Sequence, residues 1–144
     1  MVIELALENE KSQIMWLDRH IPMNRLGECI ERQQIYVLKD DFTQTHHRLK
    51  NSVVGVLRYS LFWQIIPFLD LLYIDEAYRK QGFGTKMMEK WETEMRLCGY
   101  AYVMTSTQAD EEAWRFYEKL GYRKKGEFFP PEQEAEEWIY WKKL

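Results

Sequence analysis

The run FLDLLYI at residues 68–74 is apolar at nearly every position, and no other stretch restricts the fold as strongly. A strand with one wet face alternates apolar and polar residues, whereas a strand covered on both faces need not, so this segment belongs at the centre of a sheet. The chemistry changes abruptly after it. YRKQGFGTKMMEKWE at 78–92 places Gly82 and Gly84 one residue apart and passes directly into helical spacing. Met87, Met88, Trp91, Met95 and Cys98 form one apolar stripe, Glu92 and Arg96 form an i,i+4 pair opposite, and Gly99 stands where a left-handed C-terminal residue would sit. The spacing predicts a helix over about 83–98. YAYVMTS at 100–106 reads as a strand, followed by a helix capped by Asp110, striped by Ala113, Phe116, Tyr117 and Leu120, and closed by Gly121. Strand, helix, strand, helix in this order gives a right-handed crossover.

The flanking segments complete a mixed α/β sheet. A short strand is predicted at 2–7, then helical segments near 8–19 and 23–32 with Pro22 at the entry of the second. QIYVLKD at 34–40 and SVVGVLRYSLF at 52–62 are rich in β-branched and aromatic residues and read as an antiparallel pair; GYRKKGEFF and EEWIYWKKL read as a final hairpin with a wide loop. Six tryptophans are expected mainly in the core, with Trp63 near a strand end and a candidate for lining an acceptor site.

With 144 residues, of which 46% are hydrophobic, the chain fits one domain spanning 1–144. A formal charge of −3 arises from 23 acids and 20 bases spread along the chain, and the longest basic cluster is RKK at 123–125, so nucleic acid is not an expected partner. MVIELALENE carries Glu4 and Glu8 where an export signal needs a basic start and an apolar centre, and the longest apolar stretch, 61–74, is broken by Gln64, Pro67 and Asp70. A soluble cytosolic protein without membrane partners is expected. Cys29 and Cys98 are two and distant, and His46 and His47 sit in a polar stretch read as solvated loop, so neither a disulfide framework nor a metal site is expected.

The paired glycines are the informative anomaly. Glycine within a helix costs about 1 kcal/mol relative to alanine, so two at a helix entrance imply a backbone task that a side chain would obstruct. The free N–H groups and positive dipole end of a helix N-terminus suit an anion, and a chain without Cβ atoms can close on a phosphate. A simple strand-to-helix turn is the alternative. GFGTK lacks the spacing of a Walker loop, and Met87 stands where a Rossmann fingerprint requires its third glycine.

Arg79, Gly82 and Gly84 between a central strand and a helix resemble the R-x-x-G-x-G signature of the GNAT superfamily of acetyl-CoA-dependent N-acyltransferases. DEEAWRFYEKLGYRKKG at 110–126 resembles its second hallmark, A-x-x-F-Y-x-x-x-G-Y, and the resemblance covers about residues 52–126 well. It implies a mostly antiparallel sheet whose fourth and fifth strands splay apart around the pantetheine arm of coenzyme A. It also implies a pyrophosphate held by the backbone N–H groups of Lys80, Gln81, Gly82, Phe83, Gly84 and Thr85, with the Thr85 hydroxyl adding a contact, Arg79 at the loop entrance, and the backbone of Leu72 and Ile74 along the thioester and pantetheine. Tyr117 matches the family tyrosine that serves as general acid toward the coenzyme sulfur; a packed core tyrosine is the alternative.

The chain departs from the family at two places. Some members carry a glutamate base at the position occupied here by Phe68, and Asp70, two residues on along the same strand face, is the substitute candidate for binding the amine or taking its proton, against a purely structural aspartate. Asp110 stands where the family often has asparagine, so it can accept but not donate a hydrogen bond to the coenzyme. The resemblance implies direct transfer from acetyl-CoA to a primary amine, without metal or covalent enzyme intermediate, in a protein for which a homodimer is left open. A non-catalytic acyl-CoA sensor of the same fold is the competing class.

Overall fold

The computed structural model describes residues 1–42 and 51–144; the stretch containing His46 and His47 lies outside the described residues. Among the described residues seven strands and four helices follow one another as β1 (Val2–Leu5), α1 (Lys11–Leu17), α2 (Met23–Glu31), β2 (Ile35–Asp40), β3 (Ser52–Phe62), β4 (Ile66–Ile74), α3 (Phe83–Leu97), β5 (Tyr102–Gln108), α4 (Ala113–Lys119), β6 (Arg123–Phe128) and β7 (Glu137–Lys143). Short 3₁₀ turns at Glu8–Glu10 and Glu76–Tyr78 precede α1 and α3. The hydrogen-bonded strand order is β1-β2-β3-β4-β5-β7-β6, which puts β4 in the middle, as its composition requires. Pairing is antiparallel between β1 and β2, β2 and β3, β5 and β7, and β6 and β7. β4 and β5 are parallel, and their register comprises two pairs, Phe68↔Met104 and Leu69↔Thr105.

The chain divides into two compact units, Met1–Tyr59 with Leu71–Trp91, and Ser60–Asp70 with Glu92–Leu144. The first is centred on a core of Ala6, Ile14, Leu26, Ile30, Ile35, Val37, Val53 and Val56, where the apolar stripes of α1 and α2 cover β2 and β3. Pro22 occupies the N-cap of α2 in an extended conformation, so its missing N–H costs that helix nothing. Gly55 of β3 makes room for the end of β4: a Cβ there would meet the Ile74 Cδ1 atom at 2.8 Å.

In the second unit, β7 lies between β5 and β6, its seven residues paired with Tyr102 through Gln108. Gly99 and Gly121 adopt the left-handed conformation at φ +92° and +91° that ends the helices before them. Glu92 contradicts the sequence expectation. Instead of pairing with Arg96 on a wet face it is buried, accepting the Tyr122 hydroxyl at 2.9 Å and pairing with Lys142 Nζ at 2.6 Å. Cys98 falls beyond the end of α3 and is exposed rather than on the apolar side. Of the six tryptophans only Trp91 is fully buried, while Trp16 and Trp63 are each 74% exposed. The exposed Trp16 ring is partly covered by the Arg19 guanidinium, 5.2 Å from its centroid, a cation–π contact available at the surface.

Removing the Glu92 carboxylate would leave a buried hydroxyl and a lysine without their shared acceptor. Glu92→Ala should therefore destabilise the protein by about 2–3 kcal/mol in urea unfolding, and Glu92→Gln, whose carbonyl can still accept from Tyr122, by distinctly less. Equal losses for the two variants would show that the hydrogen bond contributes little.

Candidate functional site

β4 ends at Ile74, and the eight residues from Asp75 to Gly82 reverse the chain into α3 under local control. The Asp75 carboxylate accepts the Ala77 N–H at 3.0 Å and caps the 3₁₀ turn. Gln81 reaches back from its side chain to the Ala77 carbonyl at 3.3 Å. Arg79, expected at the loop entrance, turns back on the strand: its Nε donates to the Ile74 carbonyl at 2.7 Å, and its guanidinium stands 5.1 Å over the Tyr73 ring. Lys80 has φ +59° and Gly82 φ +81°, so two of three consecutive residues are left-handed, and a Cβ at Gly82 would meet nothing within 4 Å. The strain is conformational, not steric, which is the reason glycine suits that position.

Lys86 N–H to the Gly82 carbonyl, at 3.1 Å, is the bond that closes the first turn of α3. The N–H groups of Phe83, Gly84 and Thr85 precede it, at the end of a 15-residue helix that carries the positive end of the dipole. Gly84 is helical, second in α3, so its contribution is the missing side chain, not an unusual φ. No acidic residue occupies this first turn, and Lys80 and Lys86 flank it. An arrangement of this kind can take an anion of the size of a phosphate through backbone donors. All of Leu72, Ile74 and Arg79 through Thr85 belong to the first unit. In the same unit Trp16, Arg19 and His20 at the end of α1 and beyond it line, with Leu71, Tyr73 and Asp75, a cleft of about 260 Å³ that no sequence motif announces.

Tyr117, Asp70 and Asp110 belong to the second unit. Tyr117 lies on the buried side of α4, in edge contact with Tyr122 at 5.8 Å and Phe116 at 5.3 Å between ring centroids. Burial pushes its hydroxyl up from 10.0 to about 12, offset in part by the Thr105 hydroxyl. Thr105 itself donates to the Leu69 carbonyl at 3.2 Å, next to the parallel pairs of β4 and β5. Asp70 is exposed, so the cost of an enclosed carboxylate that the apolar strand suggests does not arise. Asp110 is exposed in the turn before α4 and does not cap it: the helix starts at Ala113 with Glu112 as N-cap and no side-chain cap hydrogen bond. Trp63 sits on the exposed turn joining β3 to β4, at φ +55° beside Gln64 at +62°. Among the described residues no group of three or more His, Cys, Asp or Glu side chains is placed to hold a metal ion, and no helix is long and apolar enough to cross a membrane.

The sequence profile of the acetyltransferase (GNAT) family matches residues 5–122, taking in the glycine loop, the parallel strands β4 and β5, and α4. The chain belongs to the GNAT acetyltransferase family. The GNAT assignment makes it an acetyltransferase enzyme and accounts for the mixed, mostly antiparallel sheet. No curated protein matches this GNAT chain by sequence. Solved structures match its fold end to end. A chain of the NatC complex bound to Gag peptide and CoA superposes with a TM-score of 0.83 at 16% identity, covering 99% of this chain and 98% of that one. Ard1 from Thermoplasma volcanium gives 0.82 at 17% identity, covering 99% and 97%. The ribosomal-protein-S18-alanine N-acetyltransferase from Escherichia coli gives 0.77 at 14% identity, covering 99% and 93%.

The raised Tyr117 hydroxyl has a consequence for stability. In the unfolded chain the group titrates near 10.0 and in the folded chain near 12, so between these values the folded state holds a proton the unfolded state has lost. Stability is therefore unaffected by this group below pH 10 and declines as pH rises toward 12. The urea midpoint of the parent should fall between pH 9.5 and 11.5, and that of Tyr117→Phe should fall less. Equal declines would mean that the hydroxyl is not held neutral by its surroundings.

Proposed function

We propose that this GNAT enzyme transfers the acetyl group of acetyl-CoA to a primary amine by direct attack, with all 144 residues acting as one transferase domain. The observation that carries the reading is the start of α3: backbone donors from Lys80 to Thr85, a left-handed Gly82 and a helix dipole uncompensated by any first-turn acid, all following a central strand. That is an electropositive backbone cradle suited to the pyrophosphate of coenzyme A. Solved GNAT-fold structures with CoA, such as the NatC complex and an N-acetylglutamate synthase from Neisseria gonorrhoeae, support the choice of cofactor. Matches over nearly the full length of both chains support one domain.

In this reading the Leu72 and Ile74 backbone runs along the pantetheine. The Ile74 carbonyl accepts from Arg79, which acts by holding the strand end. The amine must arrive neutral, attack the thioester carbon and form the C–N bond. The C–S bond then breaks, the electron pair leaves with sulfur, and Tyr117 supplies the proton that makes the thiol. A hydroxyl pushed to about 12 is protonated at any working pH. The ammonium proton goes to Asp70, directly or through water; its exposure suits exchange with solvent. Asp110 contributes at most an acceptor toward the coenzyme. The cleft lined by Arg19, His20 and Tyr73 is our candidate entry for the amine. Two free cysteines are consistent with the cytosolic location we assign.

Tyr117→Phe keeps the ring in place and removes only the hydroxyl. It should lower kcat by about 10²- to 10⁴-fold while acetyl-CoA still binds, with a smaller defect for an acyl donor whose leaving thiol is more acidic. A variant within about threefold of the parent, measured by thiol release with a panel of amines under conditions where chemistry limits the rate, would remove Tyr117 as the acid. Binding without turnover in the parent on every amine would favour the sensor.

A further inference from the structure

The phosphate-binding reading leaves one question open: what holds the segment before the cradle in the right place. Tyr78 is the last residue of the 3₁₀ turn and immediately precedes Arg79 and the left-handed Lys80. Its hydroxyl donates to Asp40 Oδ2 at 2.6 Å, across 38 residues of sequence. Asp40 ends β2, is 4% exposed, and has its other oxygen at 3.0 Å from the Phe42 N–H. A short hydrogen bond to a buried carboxylate is of the strong, charge-assisted kind, and it fixes a point one residue from the start of the loop. At its start the segment is tied to β3 by the Asp75 N–H, which donates to the Val54 carbonyl at 2.8 Å, while Asp75 to Ala77, Gln81 to Ala77 and Arg79 to Ile74 join residues within five positions of one another. The local bonds shape the turn, and the Asp75–Val54 bond anchors its first residue. The Tyr78–Asp40 bond is the long-range side-chain tie next to the loop itself, three residues beyond Asp75, and both of its residues lie in the first unit.

We propose that Tyr78 and Asp40 are a positioning pair for the cofactor cradle: the hydrogen bond between the Tyr78 hydroxyl and the buried Asp40 carboxylate holds residues 79–85 in the conformation that presents their N–H groups to the pyrophosphate. This rests on the assignment of the cradle to coenzyme A. Neither side chain touches the cofactor. Their effect is on preorganisation, because a loop that must be ordered by the ligand subtracts the ordering cost from the affinity.

The test compares parent, Tyr78→Phe, Asp40→Asn and the double variant, each shown to be folded by circular dichroism, using CoA and pantetheine as probes in a competition assay. Tyr78→Phe should raise the Kd for CoA by about 5- to 50-fold, the range spanned by loss of one charge-assisted hydrogen bond transmitted in part to the loop. The double variant should be no weaker than the weaker single one, since both remove the same bond. The Kd for pantetheine, which carries the arm but no phosphates, should stay within about twofold of the parent for Tyr78→Phe, since the arm does not use the cradle. An unchanged CoA affinity in Tyr78→Phe, fully additive losses, or an equal loss for pantetheine would overturn the proposal, the last by showing a general disturbance of the fold. A parent that binds no CoA would instead overturn the assignment of the cradle, and this pair with it.

Discussion

A helix can offer its first N–H groups to a ligand only if its axis cannot move, and in this protein the axis of α3 is held by burial. Met87, Met88 and Trp91 are wholly inaccessible and Met95 nearly so. Each such side chain removed from water contributes on the order of 2 kcal/mol, far more than the dipole interaction it serves to position. The glycines that begin the helix would be a liability in an isolated peptide. Here the stripe behind them supplies the helical stability that they withhold, and the backbone at the entrance stays bare.

The same division between a stiff support and an open working end recurs in the second unit. Glu92 sits on the inward side of α3, and its carboxylate joins Tyr122, just before β6, and Lys142, near the end of β7, around one buried acceptor. Tyr122 packs edge-on against Tyr117. Burial and the adjacent Glu92 charge hold the Tyr122 hydroxyl well above the ordinary tyrosine range, so it remains a neutral donor to the carboxylate. Tyr117, one ring away, owes its rise to burial, with the Thr105 hydroxyl opposing it, and is the hydroxyl we propose for chemistry. Two adjacent buried tyrosines are thus distinguished by whether a carboxylate is present.

The order of elements, the central place of β4, the glycine-bearing helix entrance and the stripe of α4 were all legible in the sequence, because each rests on a local rule: apolar runs, helical spacing, or a glycine where φ is positive. The failures have a common physical cause. Glu92 falls three and four residues from Met95 and Met88, on the buried stripe itself, and that position was the available signal. The i,i+4 rule applied to Arg96 concealed it, since the true partners are 30 and 50 residues away. Asp110 looked like a cap because aspartate favours helix entrances, but the chain makes a further turn before α4 begins. Asp70 looked enclosed because its neighbours in sequence are apolar, and exposure is decided by what covers a strand, which no strand encodes by itself. The Tyr78–Asp40 bond and the cleft beside β4 lay beyond sequence reading for the same reason: both depend on residues that only the sheet brings together.

The account depends most on the claim that the start of α3 grips the phosphates of coenzyme A. Backbone hydrogen exchange, followed with and without saturating CoA, observes those donors directly. The account predicts that the amides within residues 80–85, which have no intrahelical acceptor, become slow to exchange when CoA is present, because an N–H bound to a phosphate oxygen is no longer open to water. Binding of CoA with unchanged exchange across 80–85 and protection gained elsewhere would contradict it.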